Sequence, residues 1–381
     1  MGRPASLRTP SACRPVGGSG PTSGRCSGTT TWPRTPPPVA PWRGATPGSR
    51  TRVSDPSDLI EDALGVRPFR LHPLPGGASG GVFRADLPGG EAVVAKVAGV
   101  AGLAGLAGVD SGVGTATVSE AGSALGIEGR MLTYLAESTG LPVPEVLHST
   151  DRLLVMEHVE NDGSRSDTGE EEAAEMVAAL HGNAGPAFGF HWDTVLGGLP
   201  QPNPWTPSWV DFFARERLLF MGKACVRAGR MPSETLRRVE RLCAGLDRWL
   251  EPGPASVAGR ESRTALAAGP GAGSAAGSAA GPALVHGDLW GGNVLWRGGR
   301  VVAFIDPAIH FADPEVEIAF TTLFGAFGDT FYRRYQEIRP LRPGFLEVRK
   351  DLLNLYPLLV HVRLFGGGYL ASVERILARF V

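Results

Sequence analysis

The chain has 381 residues, enough for two lobes with ample core, and its 43 % hydrophobic and 20 % charged content is that of an ordinary globular protein. The formal net charge of -1 hides an asymmetry: residues 1–54 hold eight Arg and no acid, so the rest carries about -9. A mildly acidic body argues against a nucleic-acid surface, which needs clustered base, and no apolar run is long enough to span a bilayer.

Four cysteines, two of them in the basic tail, have neither metal-ligand spacing nor the density of a disulfide framework. A reducing, cytoplasmic location is the simpler reading. Residues 1–54 hold ten prolines and no apolar periodicity, which predicts a disordered tail. Its Arg-rich, acid-poor character suggests a transit peptide, but the proline density opposes the amphipathic helix such peptides form.

Order is expected from Asp55, where Asp55-Pro56 can cap a short helix through Leu64, closed by Gly65. Strands are predicted at Phe69–Leu74, Val82–Leu87 and Ala92–Val97. Between the first two lies the Gly-rich turn Pro75–Gly81, in which Gly76, Gly77 and Ser79 can offer backbone N–H groups to phosphates; the third strand carries Lys96. Neither G-x-G-x-x-G nor a P-loop is matched, and Lys96 taken alone reads more readily as a solvated strand residue. Gly99–Gly114 looks like an inserted Ala/Gly-rich loop. Val118–Ser138 is predicted helical, with Ile127, Met131, Leu132 and Leu135 as its apolar stripe and Glu128 beside it, within reach of Lys96. Leu153–Val159 is an apolar strand ending in polar residues, suited to a hinge. This divides the chain into an N-lobe over 55–158 and a C-lobe over 159–381.

In the second part helices are expected at Glu170–His181, Trp209–Ala228 and Ser233–Leu250, with a rigid loop over Phe188–Trp205 and a low-complexity linker over 252–282. Further helices are expected at Pro314–Phe324, Arg349–Phe365 and Tyr369–Phe380, the second of them ended by Gly366-Gly367-Gly368.

The chemistry concentrates in Leu284-Val285-His286-Gly287-Asp288-Leu289-Trp290-Gly291-Gly292-Asn293 and in Val301–Pro307. An apolar strand leads to a loop holding an Asp and, five residues on, an Asn. A hairpin turning at Arg297–Arg300 then returns a second acid, Asp306. Phosphoryl transfer needs this set: Asp288 to accept a hydroxyl proton, and Asn293 and Asp306 to hold Mg²⁺ against the phosphates. His286-x-Asp288 could instead open an iron site, but His310 and His361 are the only later histidines and neither sits on a convincing strand. Trp290 is either a core anchor or an indole that stacks on a sugar face. The acids of Asp313-Pro314-Glu315-Val316-Glu317 could order the loop, bind a cationic substrate or cap a helix. His361 reads as a satisfied core histidine.

His286–Asn293 resembles the HGDLWxGN signature of the fructosamine/ketosamine-3-kinases, within the aminoglycoside-phosphotransferase-like kinases. Ile305-Asp306-Pro307-Ala308, Asp313–Glu317, Phe188-Gly189-Phe190, Gln201-x-Asn203-x-Trp205 and Leu355–His361 resemble further blocks of that family. The resemblance covers nearly all of residues 68–381. It implies a two-lobed, α+β, protein-kinase-like fold and ATP-dependent phosphorylation of the 3-hydroxyl of a ketosamine, small or protein-bound, with no nucleic-acid or membrane partner. It also implies that Lys96, paired with Glu128, clamps phosphates and that Met156, Glu157, His158 and Val159 offer hinge backbone to adenine. Asp288 would be the base, Trp290 would line the sugar site, and Asn293 and Asp306 would bind Mg²⁺. The alternatives are an aminoglycoside or small-alcohol kinase of the same fold, or a nucleotide-binding protein without catalysis. Two departures stand out: Glu317 replaces the usual Asp, and the Gly-rich turn has extra glycine, which would loosen its grip on phosphate.

Overall fold

The computed structural model describes residues 55–75, 80–99, 118–250 and 281–381. The expected tail, Gly76, Gly77, Ser79, most of the Ala/Gly-rich insertion and nearly all of the linker lie outside the described residues.

Helix α1 (Pro56–Leu64) is delimited as its sequence dictates. Asp55 accepts a hydrogen bond from Ser57 N at 2.8 Å, Pro56 opens the first turn, and Gly65 closes the helix at φ 72°. Strands β1 (Arg70–Pro73), β2 (Gly80–Asp86), β3 (Ala92–Ala98), β4 (Val146–Ser149) and β5 (Leu153–Glu157) form one antiparallel sheet, ordered β1-β2-β3-β5-β4. Alternation along β3 sorts its side chains. Val93, Ala95 and Val97 face α1 and pack with Ile60, whereas Val94, Lys96 and Ala98 face helix α2 (Val118–Ser138). On α2, Leu125, Glu128 and Leu132 stand three and four residues apart and share the face turned to that side of the sheet. Leu125 and Leu132 pack on Leu154 and Met156 there. A charged pair is thereby set among apolar neighbours.

Helix α3 (Asp167–Leu180) begins three residues before the expected start because Ser166 caps it, accepting from Gly169 N at 3.1 Å. The stretch expected to be a rigid loop contains a hairpin, β6 (Thr194–Leu196) and β7 (Leu199–Gln201), turning at Gly197-Gly198. Helix α4 (Trp209–Phe212) runs through a π-helical segment, Phe213–Leu219, into α5 (Phe220–Arg227). Helix α6 (Ser233–Cys243) ends seven residues early, before a 3-10 turn over Leu246–Arg248. β8 (Ala283–Val285) pairs with β11 (His310–Ala312), and β9 (Val294–Arg297) with β10 (Arg300–Phe304). Gly298 and Gly299, at φ 57° and 81°, make the tight turn of the second pair. Helices α7 (Glu315–Thr321), α8 (Asp329–Ile338), α9 (Lys350–Leu353), α10 (Leu355–Phe365) and α11 (Gly368–Phe380) complete the chain, with a π-helical turn over Phe345–Arg349 and a break at Asn354 inside the expected long helix. The fold is a two-lobed, kinase-like α+β fold, with a small sheet lobe and a larger helical lobe. Among the described residues no helix is long and apolar enough to cross a membrane.

Candidate active site

Lys96 Nζ lies 2.6 Å from Glu128 Oε1 and 2.5 Å from Asp306 Oδ1. The three residues come from β3, α2 and the end of the β9–β10 hairpin, so one ammonium ties the sheet lobe to the helical lobe. Burial opposes its charge, but Asp306 and Glu128 more than offset that and hold its pKa above the ordinary lysine range. Asp306 is the one non-glycine residue with positive φ among the described residues, at 55°. Asp tolerates this left-handed conformation better than most side chains, and it turns the carboxylate toward Lys96 directly after a buried strand.

The loop after β8 is fixed from within and from behind. Asn293 Nδ2 donates to the Asp288 carbonyl at 2.8 Å and to Asp288 Oδ2 at 3.0 Å. Asn293 Oδ1 accepts no bond among the described residues. Gly287 sits at φ 83°, and a Cβ there would stand 2.1 Å from the Ala308 carbonyl oxygen, so only glycine fits. Burial lifts the Asp288 carboxyl to about 8, with the charge of Asp306 adding and the Asn293 hydrogen bond opposing. From behind, Glu317 accepts from His286 N at 3.1 Å and Gly287 N at 2.7 Å, and pairs with His181 Nε2 at 2.8 Å. His181 Nδ1 lies 2.7 Å from the Tyr335 hydroxyl. The longer side chain in place of Asp thus still reaches the loop backbone.

The acids of the Asp313–Glu317 segment divide their work. Asp313 accepts from Glu315 N, and Asp313 and Glu315 bind Arg342, with Glu315 also holding Arg349 at 2.6 Å. Both are buried and internally paired, which leaves neither for a cationic substrate. Trp290 is 40 % exposed and does not anchor the core. Its ring covers Gly292, where a Cβ would come within 2.3 Å of it. Met156 and Glu157 end β5 opposite Val94 and Val93, and His158 and Val159 follow in the connection to the helical lobe.

Asp288, Asn293, Asp306, Lys96 and Glu128 are therefore assembled at one place. Asn293 Oδ1 and the second Asp306 oxygen are hard donors of the kind Mg²⁺ takes, which binds through few protein groups plus phosphates. No cluster of three or more His, Cys, Asp or Glu side chains is placed to hold a metal among the described residues. The sequence gives His181 only as a helix end and assigns neither it nor Tyr335 a part in the site. Nothing in a helix-end His or a helical Tyr 154 residues away marks them as partners.

A model of the fructosamine kinase family matches residues 118–381. A Synechocystis protein assigned as a ketoamine kinase is 40 % identical over 205 residues, 53 % of this chain and 58 % of that relative, which is less than two thirds of its length. The chloroplastic protein-ribulosamine 3-kinase of rice, Oryza sativa subsp. japonica, is 31 % identical over 262 residues, 67 % of each protein. A crystal structure from Thermobifida fusca, assigned as a fructosamine-3-kinase, superposes with a TM-score of 0.62 at 27 % identity, covering 85 % of this chain and 98 % of that one. The chain belongs to the fructosamine kinase family, an enzyme family of phosphotransferases.

Proposed function

We propose that this protein phosphorylates the 3-hydroxyl of ketosamines, the rearranged products of a sugar and an amine, using ATP and Mg²⁺. The reading rests on the convergence of Lys96, Glu128 and Asp306 from two lobes beside the loop that carries Asp288, Trp290 and Asn293. When bound, ATP with Mg²⁺ supplies the phosphoryl group. Lys96, oriented by Glu128, would neutralise phosphate oxygens, and Asn293 Oδ1 with Asp306 would take the metal. The backbone of Met156–Val159 would meet the adenine, and Gly76, Gly77 and Ser79, outside the described residues, would offer N–H groups to the phosphates. Asp288 accepts the proton of the attacking hydroxyl, and Glu317 keeps its loop from drifting by holding two successive N–H groups. The exposed indole of Trp290 stacks on the apolar face of the sugar. The phosphorylated ketosamine then decomposes and frees the amine, which is deglycation.

The test is ATP consumption by purified protein with a panel of fructosamines, ribulosamines and erythrulosamines, with mass spectrometry for the phosphorylated product. Turnover of an aminoglycoside or simple alcohol at comparable kcat/KM, with none on ketosamines, would overturn the acceptor assignment.

A further inference from the structure

An aromatic cluster at the end of α10 has no part in the phosphoryl-transfer chemistry above, yet it borders the loop that carries it. Helix α10 starts behind that loop: Tyr356 and Pro357, with Gly287 and Glu317, line a cavity of about 20 Å³. His361 follows five residues after Tyr356, roughly 7 Å further along the axis at the α-helical rise. The connection leaving α7 comes back to the same loop, where a Cβ on Gly291 would lie 3.5 Å from the Gly325 carbonyl oxygen. Phe324 immediately precedes Gly325, and its ring centroid is 4.7 Å from that of His361. Tyr369 and Phe365 complete the group at 4.9 and 5.6 Å from His361. Phe365 is 59 % exposed, and the other three are half-buried. Phe365 thus leaves one edge of the aromatic group open to water.

The hydrogen bonding of His361 fixes what it presents. Nδ1 lies 2.7 Å from the Pro357 carbonyl oxygen. A carbonyl only accepts, so Nδ1 carries the hydrogen, and Nε2 of the neutral ring is an acceptor. Burial pushes the His361 pKa down, which keeps the ring neutral. Nε2 has no partner among the described residues. Aromatic faces beside one free acceptor suit a cation that also donates hydrogen bonds. The amine of a ketosamine is such a group: secondary, protonated at neutral pH, flanked by CH₂ groups and therefore weakly hydrated for a cation.

We propose that His361, with Phe324, Phe365 and Tyr369, binds the protonated amine of the acceptor, its Nε2 accepting an ammonium N–H while the rings face the charge. This site selects glycated amines over neutral sugars and alcohols. The assignment rests on the phosphotransferase reading and deepens it.

The experiment compares a fructosamine with its N-acylated analogue, which has the same sugar and no charge, on the wild type and on His361→Phe, which keeps a ring and removes the acceptor. The variant is expected to raise KM for the fructosamine roughly tenfold, with kcat within about twofold. KM for ATP and kcat/KM for the N-acylated analogue should not move. Calorimetric titration of the fructosamine without nucleotide should show the same roughly tenfold loss of affinity. Equal effects on the two acceptors, or none on either, overturn the proposal. If His361→Phe fails to fold, Phe365→Leu at the exposed ring is read by the same comparison. A wild type inert toward every ketosamine brings down the phosphotransferase reading and this one with it. An active wild type whose variants keep full preference for the charged acceptor brings down this one alone.

Discussion

Asp288 and Asp306 are carboxylates on neighbouring segments with different surroundings, and the proposed function gives them separate tasks. Asp288 is buried and bonded by Asn293, whereas Asp306 faces the Lys96 ammonium at 2.5 Å. Asp288→Asn keeps the shape and the Asn293 contact while removing the proton acceptor, so kcat should fall by about 10²–10⁴ with nucleotide affinity within about twofold. Asp306→Asn removes the charge that faces Lys96 and, on the proposed reading, a metal oxygen, so affinity for Mg²⁺-ATP should drop by roughly tenfold or more. Initial rates and a nucleotide titration separate the two, and near-normal turnover by Asp288→Asn would remove it as the base. Gly292→Ala offers a third contrast. A new Cβ would stand 2.3 Å from the Trp290 ring, which must swing away. Since that ring is already exposed, the melting temperature should hardly change while KM for the acceptor rises several-fold.

The catalytic loop is stabilised by elements far from it in sequence. Glu317 on α7 holds the loop and is in turn held by His181, at the end of α3, and through it by Tyr335 on α8. Burial alone would raise the Glu317 carboxyl, but the hydrogen bond and charge of His181, with the loop N–H groups, keep it below the ordinary glutamate value. The folded protein therefore holds this carboxylate ionised at pH values where the unfolded chain protonates it. Its contribution is complete above the ordinary glutamate pKa of about 4.3 and is lost as pH falls through the lower folded value. Urea unfolding of wild type and Glu317→Gln should differ by about 1–3 kcal/mol at pH 7, and the gap should narrow below about pH 4. A gap that does not change with pH would place the cost in shape rather than charge. The components of this arrangement differed in how far they were legible. Glu128 could be placed beside a helical stripe, but only the family resemblance paired it with Lys96, whereas Asp288, Asn293 and Asp306 stand in one short stretch. The Glu317–His181 contact spans 136 residues and involves side chains with no periodic signature. The β6–β7 hairpin went unread because three-residue strands are too short to show alternation, and Pro200 inside one suggests a loop. The apolar run before Phe365 hid the break at Asn354, since hydrophobicity continues across it.

At the scale of the molecule, the sheet lobe and the helical lobe have separate apolar cores, and α2 serves both. On one side Ile60, Ala85, Val93, Val97 and Val155 enclose a small cluster between α1 and the sheet, and Leu125 and Leu132 pack on the opposite face of the sheet. On the other, Met131 and Leu135 join the large cluster that includes Phe188, Trp209, Phe304 and Leu359. The Lys96–Asp306 ion pair and the Phe304 N to Pro142 O hydrogen bond, at 2.8 Å, add polar ties between the lobes. Stability should follow this division: the sheet lobe buries far less apolar surface and should unfold first. Scanning calorimetry of the protein alone is then expected to resolve two transitions, the smaller at lower temperature. On the proposed reading a non-hydrolysable ATP analogue with Mg²⁺ would touch both lobes and stabilise only the joined state, by about 2.7 kcal/mol at a hundredfold excess over Kd. It should move the lower transition up toward the higher one. In Lys96→Met, which loses both carboxylate contacts, the lower transition should fall and the analogue should move it little. A single transition in the free protein, with calorimetric and van't Hoff enthalpies equal, would mean that α2 couples the two cores strongly enough for the lobes to unfold as one.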